Sequence, residues 1–201
     1  RRCLDPDEFP RDVIRLQTYY RARGWVEATV DTVVRAVPAA VRDREAVEVT
    51  FVVREGRPLR VARVVVAGVD SLRGPGGARG REGAARARLL RDFPLDSGSV
   101  FDRVALAAAR DTIVGRLRNA GYPRADALVA WDTDTARMSA SAQVTVIPGP
   151  FTRLGAIRVE RDPAGGRAEI PEAVVRRTLG LRAGDPFRAD AILDAQRALY
   201  Q

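Results

Sequence analysis

The chain offers few side chains that could carry out catalysis. It contains no histidine, which excludes an imidazole base, the usual catalytic triad and a histidine metal ligand. Asp132 and Asp134 form the best-spaced carboxylate pair, but aspartates in an Asp-Thr-Asp-Thr segment are typical of a turn, where they accept local backbone hydrogen bonds. Cys3 is the single cysteine, so it has no partner for a disulfide or a thiolate cluster. We therefore predict no active site, no metal site and no cofactor.

Arginine is the residue type that could bind anions. The net charge of +8 comes entirely from arginine, because the chain has no lysine, and it is compatible with nucleic acid, anionic lipid headgroups or an acidic partner. The arginines are dispersed along the chain, which favours a solvated surface. A glycine-rich loop at residues 73–83 lacks the lysine of a phosphate-binding loop. Its arginines, Arg73, Arg79 and Arg81, are candidates for contact with lipid headgroups.

Length and composition indicate globular domains. Of the 201 residues, 46% are hydrophobic and 30% are charged, and no stretch approaches the ~18 consecutive apolar residues of a membrane-spanning helix. The sequence begins without methionine and ends within a helical pattern. We therefore expect an internal piece of a longer protein, with any signal peptide outside it.

These residues belong to a unit that repeats at an interval of about 90 residues. One constant offset relates Leu4, Asp5, Phe9, Leu16, Tyr20 and Gly24-Trp25 to Phe101, Asp102, Leu106, Ile113, Leu117 and Gly121-Tyr122. A second constant offset relates Phe101, Leu106 and Ile113 to Phe187, Ile192 and Leu199. We predict three repeats: the later part of one at 1–57, a complete one at 58–150 and the beginning of another at 151–201.

The predicted order of elements in a full repeat is strand, helix, helix, strand, strand. In the complete repeat these are Leu59–Ala67, Ala84–Phe93, Asp102–Ala120, Ala125–Trp131 and Arg137–Ile147. The first repeat should contain a helix capped by Asp5 and strands at Ala28–Val34 and Val47–Val53. The third should contain a strand at Arg153–Glu160, a helix from Ile170 to Leu179 and another from Phe187.

The last strand of the complete repeat has the clearest pattern. Its residues alternate between apolar and polar side chains, which predicts one buried face and one open face. The open face carries Ser139, Ser141, Gln143 and Thr145. Sheets that stack RNA bases normally present aromatic side chains on the open face, so this pattern argues against a nucleic-acid partner.

Three motifs give the chain a family resemblance. They are an Asp-Pro-x-x-Phe helix start at Asp5, a Tyr-x-x-x-Gly-aromatic helix end from Tyr20 to Trp25, and Glu-Gly-x-Pro from Glu55 to Pro58. In their order and repetition they resemble POTRA domains, the periplasmic repeats of the BamA/TamA outer-membrane assembly family. The resemblance covers the whole chain. It implies an α+β fold in which each repeat has a three-stranded mixed sheet, covered on one face by two helices, with the last strand central.

The resemblance also implies a function in the periplasm, as part of an outer-membrane protein with its own C-terminal barrel outside this segment. With the last strand central, the strand before it lies at an edge that offers unpaired backbone groups. The expected partners are unfolded outer-membrane proteins or accessory subunits, which would add strands to these edges. The candidate edge residues are Ala125, Asp126, Ala127, Leu128, Val129, Ala130 and Trp131, and in the earlier repeat Thr29, Val30, Asp31, Thr32 and Val33.

Two other functions remain open at this point. One is a structural spacer whose arginines rest on anionic lipid headgroups. The other is the POTRA module of a two-partner secretion transporter or of a division protein. Neither alternative involves an enzyme.

Overall fold

The computed structural model of the chain describes residues 4–38, 46–69, 72, 87–160 and 170–200. The helices are α1 (Phe9–Ala22), α2 (Arg103–Asn119), α3 (Glu172–Leu179) and α4 (Ala189–Leu199). The strands are β1 (Thr29–Val37), β2 (Ala46–Arg54), β3 (Arg60–Ala67), β4 (Asp126–Asp134) and β5 (Ser139–Ile147). Of the predicted short helix at Ala84–Phe93, residues 87–89 are helical and residues 84–86 lie outside the described ranges.

An aspartate carboxylate bonds the backbone near the start of each long helix: Asp102 caps α2, whereas Asp5 bonds the turn that precedes α1, whose N-cap residue is Glu8 and has no side-chain cap bond. The Asp5 carboxylate accepts the backbone N–H groups of Asp7 and Glu8 at 2.9 and 3.3 Å. The Asp102 carboxylate accepts those of Val104 and Ala105 at 2.7 and 2.9 Å. The two bonds of Asp102 satisfy N–H groups that have no partner within the first turn of α2.

The three-stranded sheet has the order β3-β5-β4, so the last strand is central, as predicted. The backbone N–H of Arg60 donates to the Met138 carbonyl at 2.9 Å, and Gly68 lies beside the Val146 carbonyl. Residue numbers rise from Arg60 to Gly68 in one segment and from Met138 to Val146 in the other, in the same direction, so β3 runs parallel to β5. A short turn joins β4 to β5, which makes that pair antiparallel. The predicted mixed sheet is therefore confirmed.

The alternation along β5 also has its predicted consequence. The side chains of Ala140, Ala142, Val144 and Val146 are buried. Between them lie Ser139, Ser141, Gln143 and Thr145, which are exposed or half-buried. The period of two thus separates a core face from an open polar face.

β1 and β2 form a separate two-stranded antiparallel sheet. Thr29 lies opposite Arg54 at one end of the ladder, and Val37 lies opposite Ala46 at the other. β1 extends three residues beyond the predicted end at Val34. The ring of Phe51 on β2 packs against Phe9 of α1 with centroids 5.8 Å apart.

Two sequence predictions about strands are wrong. The polar Asp132–Thr135 segment was expected to be a turn, but β4 continues through Asp134 and the turn occupies residues 135–138. In the third repeat, the predicted strand at Arg153–Glu160 is reduced to one bridge between Arg153 and Pro186. The matching strand of the complete repeat, β3, pairs with β5 of that repeat. Among the described residues, no strand pairs with residues 153–160 in the same way.

The structure divides into two compact units. The first comprises Arg1–Val64, Pro94–Ala107 and Trp131–Ala142. The second comprises Val65–Phe93, Ala108–Ala130 and Gln143–Gln201. The largest buried side chains of the first are Leu59, Val61, Phe101 and Leu106, and those of the second include Val69, Ile113, Leu117 and Val144. The repeat boundaries at 57/58 and 150/151 stay predictions.

Gly115 in α2 predicts a stabilising substitution. Glycine in a helix interior costs about 1 kcal/mol relative to alanine, and a Cβ added at Gly115 meets no heavy atom within 4 Å. Gly115→Ala should therefore raise the free energy of unfolding by about 0.5–1 kcal/mol, measured by urea denaturation. Ala107→Gly, at an exposed position of the same helix, should lower it by a similar amount. A Gly115→Ala variant less stable than the parent would contradict this account.

Candidate functional site

The outer edge of β4 is the first element of the candidate site, because β4 has a described strand neighbour, β5, on one side only. At Ala127 the backbone groups are bonded to side chains. Its N–H donates to the Asp126 carboxylate at 2.8 Å, and its carbonyl accepts the Arg110 Nε–H at 2.8 Å. Groups bonded in this way are not used in the ladder with β5, so Ala127 directs its N–H and C=O towards the outer edge.

Side chains from α2 thus cover the beginning of this edge. Arg110 also donates to the Asp126 carboxylate at 2.6 Å and to Asp111 at 2.8 Å. The hydrogen bond to Asp111 and the charge of Asp126 raise the pKa of Arg110 above its ordinary value. Arg118 donates to the Ala125 carbonyl at 3.4 Å, just before the strand begins. Three of the candidate residues, Ala125, Asp126 and Ala127, are therefore at a covered edge.

The later part of the edge is open. Backbone groups of alternate residues point to the same side of a strand, so Val129, Trp131 and Thr133 share the outward direction of Ala127. Among the described residues, no side chain bonds their backbone groups. Leu128 and Trp131 are also 58% and 48% exposed. The open edge, by which we mean residues 129–134, therefore begins later and ends later than the sequence predicted.

The edge of β1 is the second candidate. Thr29, Val30, Asp31, Thr32 and Val33 all lie in this strand, whose described partner is β2. Before the strand, the Ala28 carbonyl accepts the Gln17 side-chain N–H at 3.0 Å. The Asp31 carboxylate pairs with Arg54 of β2.

A cleft in the first unit, which we call the Trp131 hollow, is the third element of the site. It has a volume of about 280 Å³ and is lined by Arg21, Gly24, Val26, Leu59, Phe101, Arg103, Trp131 and Thr133. Leu59 and Phe101 are fully buried and form its apolar base, and the rings of Phe101 and Trp131 have centroids 6.5 Å apart. Trp131 and Thr133 belong to the open edge of β4. Sequence patterns could not reveal this cleft, because its residues come from distant segments.

Within the described part of the chain, positive charges at the Trp131 hollow lack nearby carboxylates to pair with. Arg21 and Arg103 are exposed at the hollow, and neither has an ion-pair partner among the described residues. The two nearest acidic side chains in sequence are already engaged. Asp102 pairs with Arg23 at 3.9 Å. Glu27 accepts two hydrogen bonds from Arg57, which lower the pKa of its carboxyl group.

Behind the hollow lies a junction formed by Gly24, Leu59 and Phe101. The Leu59 N–H donates to the Gly24 carbonyl at 2.7 Å, and the Phe101 N–H donates to the Leu59 carbonyl at 2.8 Å. A Cβ at Gly24 would lie 2.8 Å from the Phe101 carbonyl oxygen, so this close approach requires glycine.

The same junction occurs in the second unit. Thr152 donates its N–H to the Gly121 carbonyl at 2.8 Å, and Phe187 donates its N–H to the Thr152 carbonyl at 3.0 Å. Here the ring of Phe151 packs directly over Gly121. The matching position in the first junction holds Pro58 instead. The same pair of main-chain bonds beside a glycine therefore occurs twice in the chain.

The remaining sequence candidates do not form a site. The Asp134 carboxylate accepts the Arg137 N–H at 3.0 Å, so it stabilises the turn that follows β4. Within the described ranges, no cluster of acidic residues could hold a metal ion, and no helix is long and apolar enough to cross a membrane. Cys3, Arg73, Arg79 and Arg81 lie outside those ranges.

Comparison with known proteins gives one family match. The model of the POTRA family, described as a surface antigen variable number repeat, matches residues 2–56. No curated protein sequence matches the chain.

Among solved structures, the chain is similar to POTRA domains 3–5 of BamA from Haemophilus influenzae. The identity is 20%, the TM-score is 0.51, and the match covers 100% of this chain and 71% of that one. BamA from Haemophilus ducreyi lacking POTRA domains 1–3 matches 72% of this chain and 24% of its own, with 15% identity and a TM-score of 0.38. The N-terminal domain of Omp85 from Thermosynechococcus elongatus matches 98% and 72%, with 17% identity and a TM-score of 0.38. At TM-scores of 0.38 these last two matches do not establish a shared fold. The first supports the fold.

Proposed function

We propose that this chain, whose residues 2–56 match the POTRA family model and whose fold is similar to that of BamA POTRA domains 3–5, is a periplasmic polypeptide-binding module of an outer-membrane β-barrel assembly protein. Its clients are unfolded barrel proteins or accessory subunits. It receives them in extended form at the edges of its sheets, and its action is binding without catalysis.

The observation that carries this proposal is the open edge of β4. A strand that pairs with Val129, Trp131 and Thr133 would satisfy backbone groups that otherwise face water. Main-chain hydrogen bonds make little demand on client sequence, which suits a module that handles varied barrel strands. The covered groups at Ala125 and Ala127 would fix where such pairing begins.

The edge of β1 offers a second place for strand addition. Several apolar side chains on and beside it are exposed, among them Val33 at 41% and Val34 at 46%, and a pairing strand would shield them. A short pairing of this kind is weak by itself. Two sites in one chain raise the local concentration of client segments, and so raise the overall affinity.

A titration followed by NMR tests the proposal. The 201-residue chain, labelled with ¹⁵N, is mixed with a ten-residue segment of an unfolded barrel protein that alternates apolar and polar residues and has blocked ends. We expect the largest amide shifts along Val129–Asp134, with smaller shifts along Thr29–Val33. Shifts that avoid both edges would refute binding by strand addition.

Backbone-blocked peptides provide the matched control. Two forms of the peptide carry N-methyl groups on alternate residues, each blocking one side of the added strand. One form should lose binding while the other retains it, because only one side of a strand faces β4. Equal binding by both forms would contradict the proposal.

Val129→Pro tests the edge from the side of the protein. The Val129 N–H faces outward, so proline should remove one donor for the client while leaving the ladder with β5 in place. We expect peptide binding to weaken roughly fivefold to tenfold, the value of one main-chain hydrogen bond. Leu128→Ala changes an exposed side chain and no backbone donor, so it should bind like the parent.

A further inference from the structure

We propose that the Trp131 hollow selects which client segment is bound at β4, by receiving a large apolar side chain that has a carboxylate beside it on the same strand. This inference rests on the proposed function, since it requires a strand paired to the open edge. The hollow would add a preference for particular side chains to strand addition, which depends on main-chain hydrogen bonds and does not by itself select side chains.

The position of the hollow gives the first argument. Trp131 and Thr133 line the hollow and also turn their backbone groups outward. Side chains of directly paired residues on neighbouring strands lie about 4.5–5.5 Å apart on the same face. The residue of an added strand that lies opposite Trp131 or Thr133 therefore projects its side chain over the hollow.

Size and lining define the apolar part of the occupant. Cavities for small molecules and cofactors hold about 300–1,000 Å³, so the hollow, at about 280 Å³, suits a single side chain better than a cofactor. Its base is Leu59 and Phe101, and one wall is the half-exposed ring of Trp131. An aromatic side chain would gain both burial and ring contacts there.

Charge defines the second part of the occupant. Arg21 and Arg103 line the hollow without acidic partners among the described residues, while Asp102 and Glu27 are held by Arg23 and Arg57. Asp132 and Asp134 alternate with Trp131 and Thr133 along β4, so they belong to the other face of the sheet. The free positive charge is thus best complemented by a carboxylate from the client.

Four peptides test the inference on the unaltered chain. They share one alternating sequence with blocked ends, and they carry Phe and Asp two positions apart, Ala and Asp, Phe and Asn, or Ala and Asn. Affinities are measured by fluorescence anisotropy. We expect the Phe–Asp peptide to bind about tenfold more tightly than either singly changed peptide, which corresponds to about 1.4 kcal/mol for each feature.

Two protein variants assign the preferences to the hollow. Arg21→Gln with Arg103→Gln should abolish the preference for Asp over Asn and keep that for Phe over Ala. Thr133→Leu, which reduces the volume of the hollow, should reduce the preference for Phe. Arg158→Gln with Arg177→Gln removes the same charge elsewhere and should leave both preferences unchanged.

The outcomes separate this inference from the proposed function. If all four peptides bind equally and N-methylation still abolishes binding, the hollow has no selective role while strand addition stands. If no peptide binds, or if N-methylation has no effect, strand addition itself fails and the inference with it. Binding of an anionic detergent such as dodecyl phosphate at the hollow, with no binding of the Phe–Asp peptide, would also overturn the inference.

Discussion

Gly68→Ala should lower the free energy of unfolding by about 3 kcal/mol or more. Gly68 follows β3 with φ at +81°, and an added Cβ would lie 2.0 Å from the Val146 carbonyl oxygen in the central strand. The strained backbone conformation costs about 1–2 kcal/mol for a residue with a side chain, and the clash with a backbone atom adds to it. Urea denaturation followed by circular dichroism measures the change.

Gly98→Ala is the matched control for this prediction. Gly98 has a similar φ of +88°, but no heavy atom lies within 4 Å of an added Cβ. Its substitution should therefore show only the conformational cost, about 1–2 kcal/mol. If both variants lost the same stability, the close packing of Gly68 against β5 would have no energetic role.

Ile113→Ala should have the second large effect, a loss of about 2–5 kcal/mol. Ile113 lies on the buried face of α2 and is 1% exposed. Its removal takes apolar contacts from the core and leaves a cavity that surrounding side chains fill incompletely. Thermal and urea unfolding should agree on the size of the loss.

Val104→Ala, on the same helix, separates this core effect from a general sensitivity of α2. Val104 is 47% exposed, and exposed substitutions usually change stability by less than about 0.5 kcal/mol. A loss at Val104 as large as that at Ile113 would mean that α2 buries a different face.

Much of the fold could be predicted from local patterns. The Asp102 cap of α2 is a short-range signal, because the carboxylate reaches N–H groups two and three residues away. The alternation of β5 predicted its buried face because a strand turns each successive side chain to the opposite side. The central position of β5 came from the family resemblance, and the structure confirms it.

The two incorrect strand predictions concern segments whose local sequence pattern differs from the conformation that tertiary structure gives them. Asp132–Thr135 has the composition of a turn, yet β5 continues to pair with β4 through Asp134. At Arg153–Glu160 the apolar spacing indicates a strand, but a strand also needs a partner, and local sequence does not report whether one is present.

The candidate site could be predicted only in part. A free edge at the strand before β5 follows from the strand order that the resemblance implies, and the predicted edge residues include Val129 and Trp131, whose part in binding stays a prediction. The covering of Ala127 by Arg110 joins residues of a helix and a strand, and sequence alone gives no sign that they meet. The Trp131 hollow likewise depends on three-dimensional proximity between segments far apart in the chain.

The two junctions have an implication for how such chains could change in length during evolution. Their shared bonds at Gly24 and Gly121 use main-chain atoms and a glycine, so they tolerate divergence at most other positions. An in-frame duplication of about 90 residues would recreate this joint wherever the breakpoint fell within the period. Copy number could thus increase without a new set of side-chain contacts at the junction.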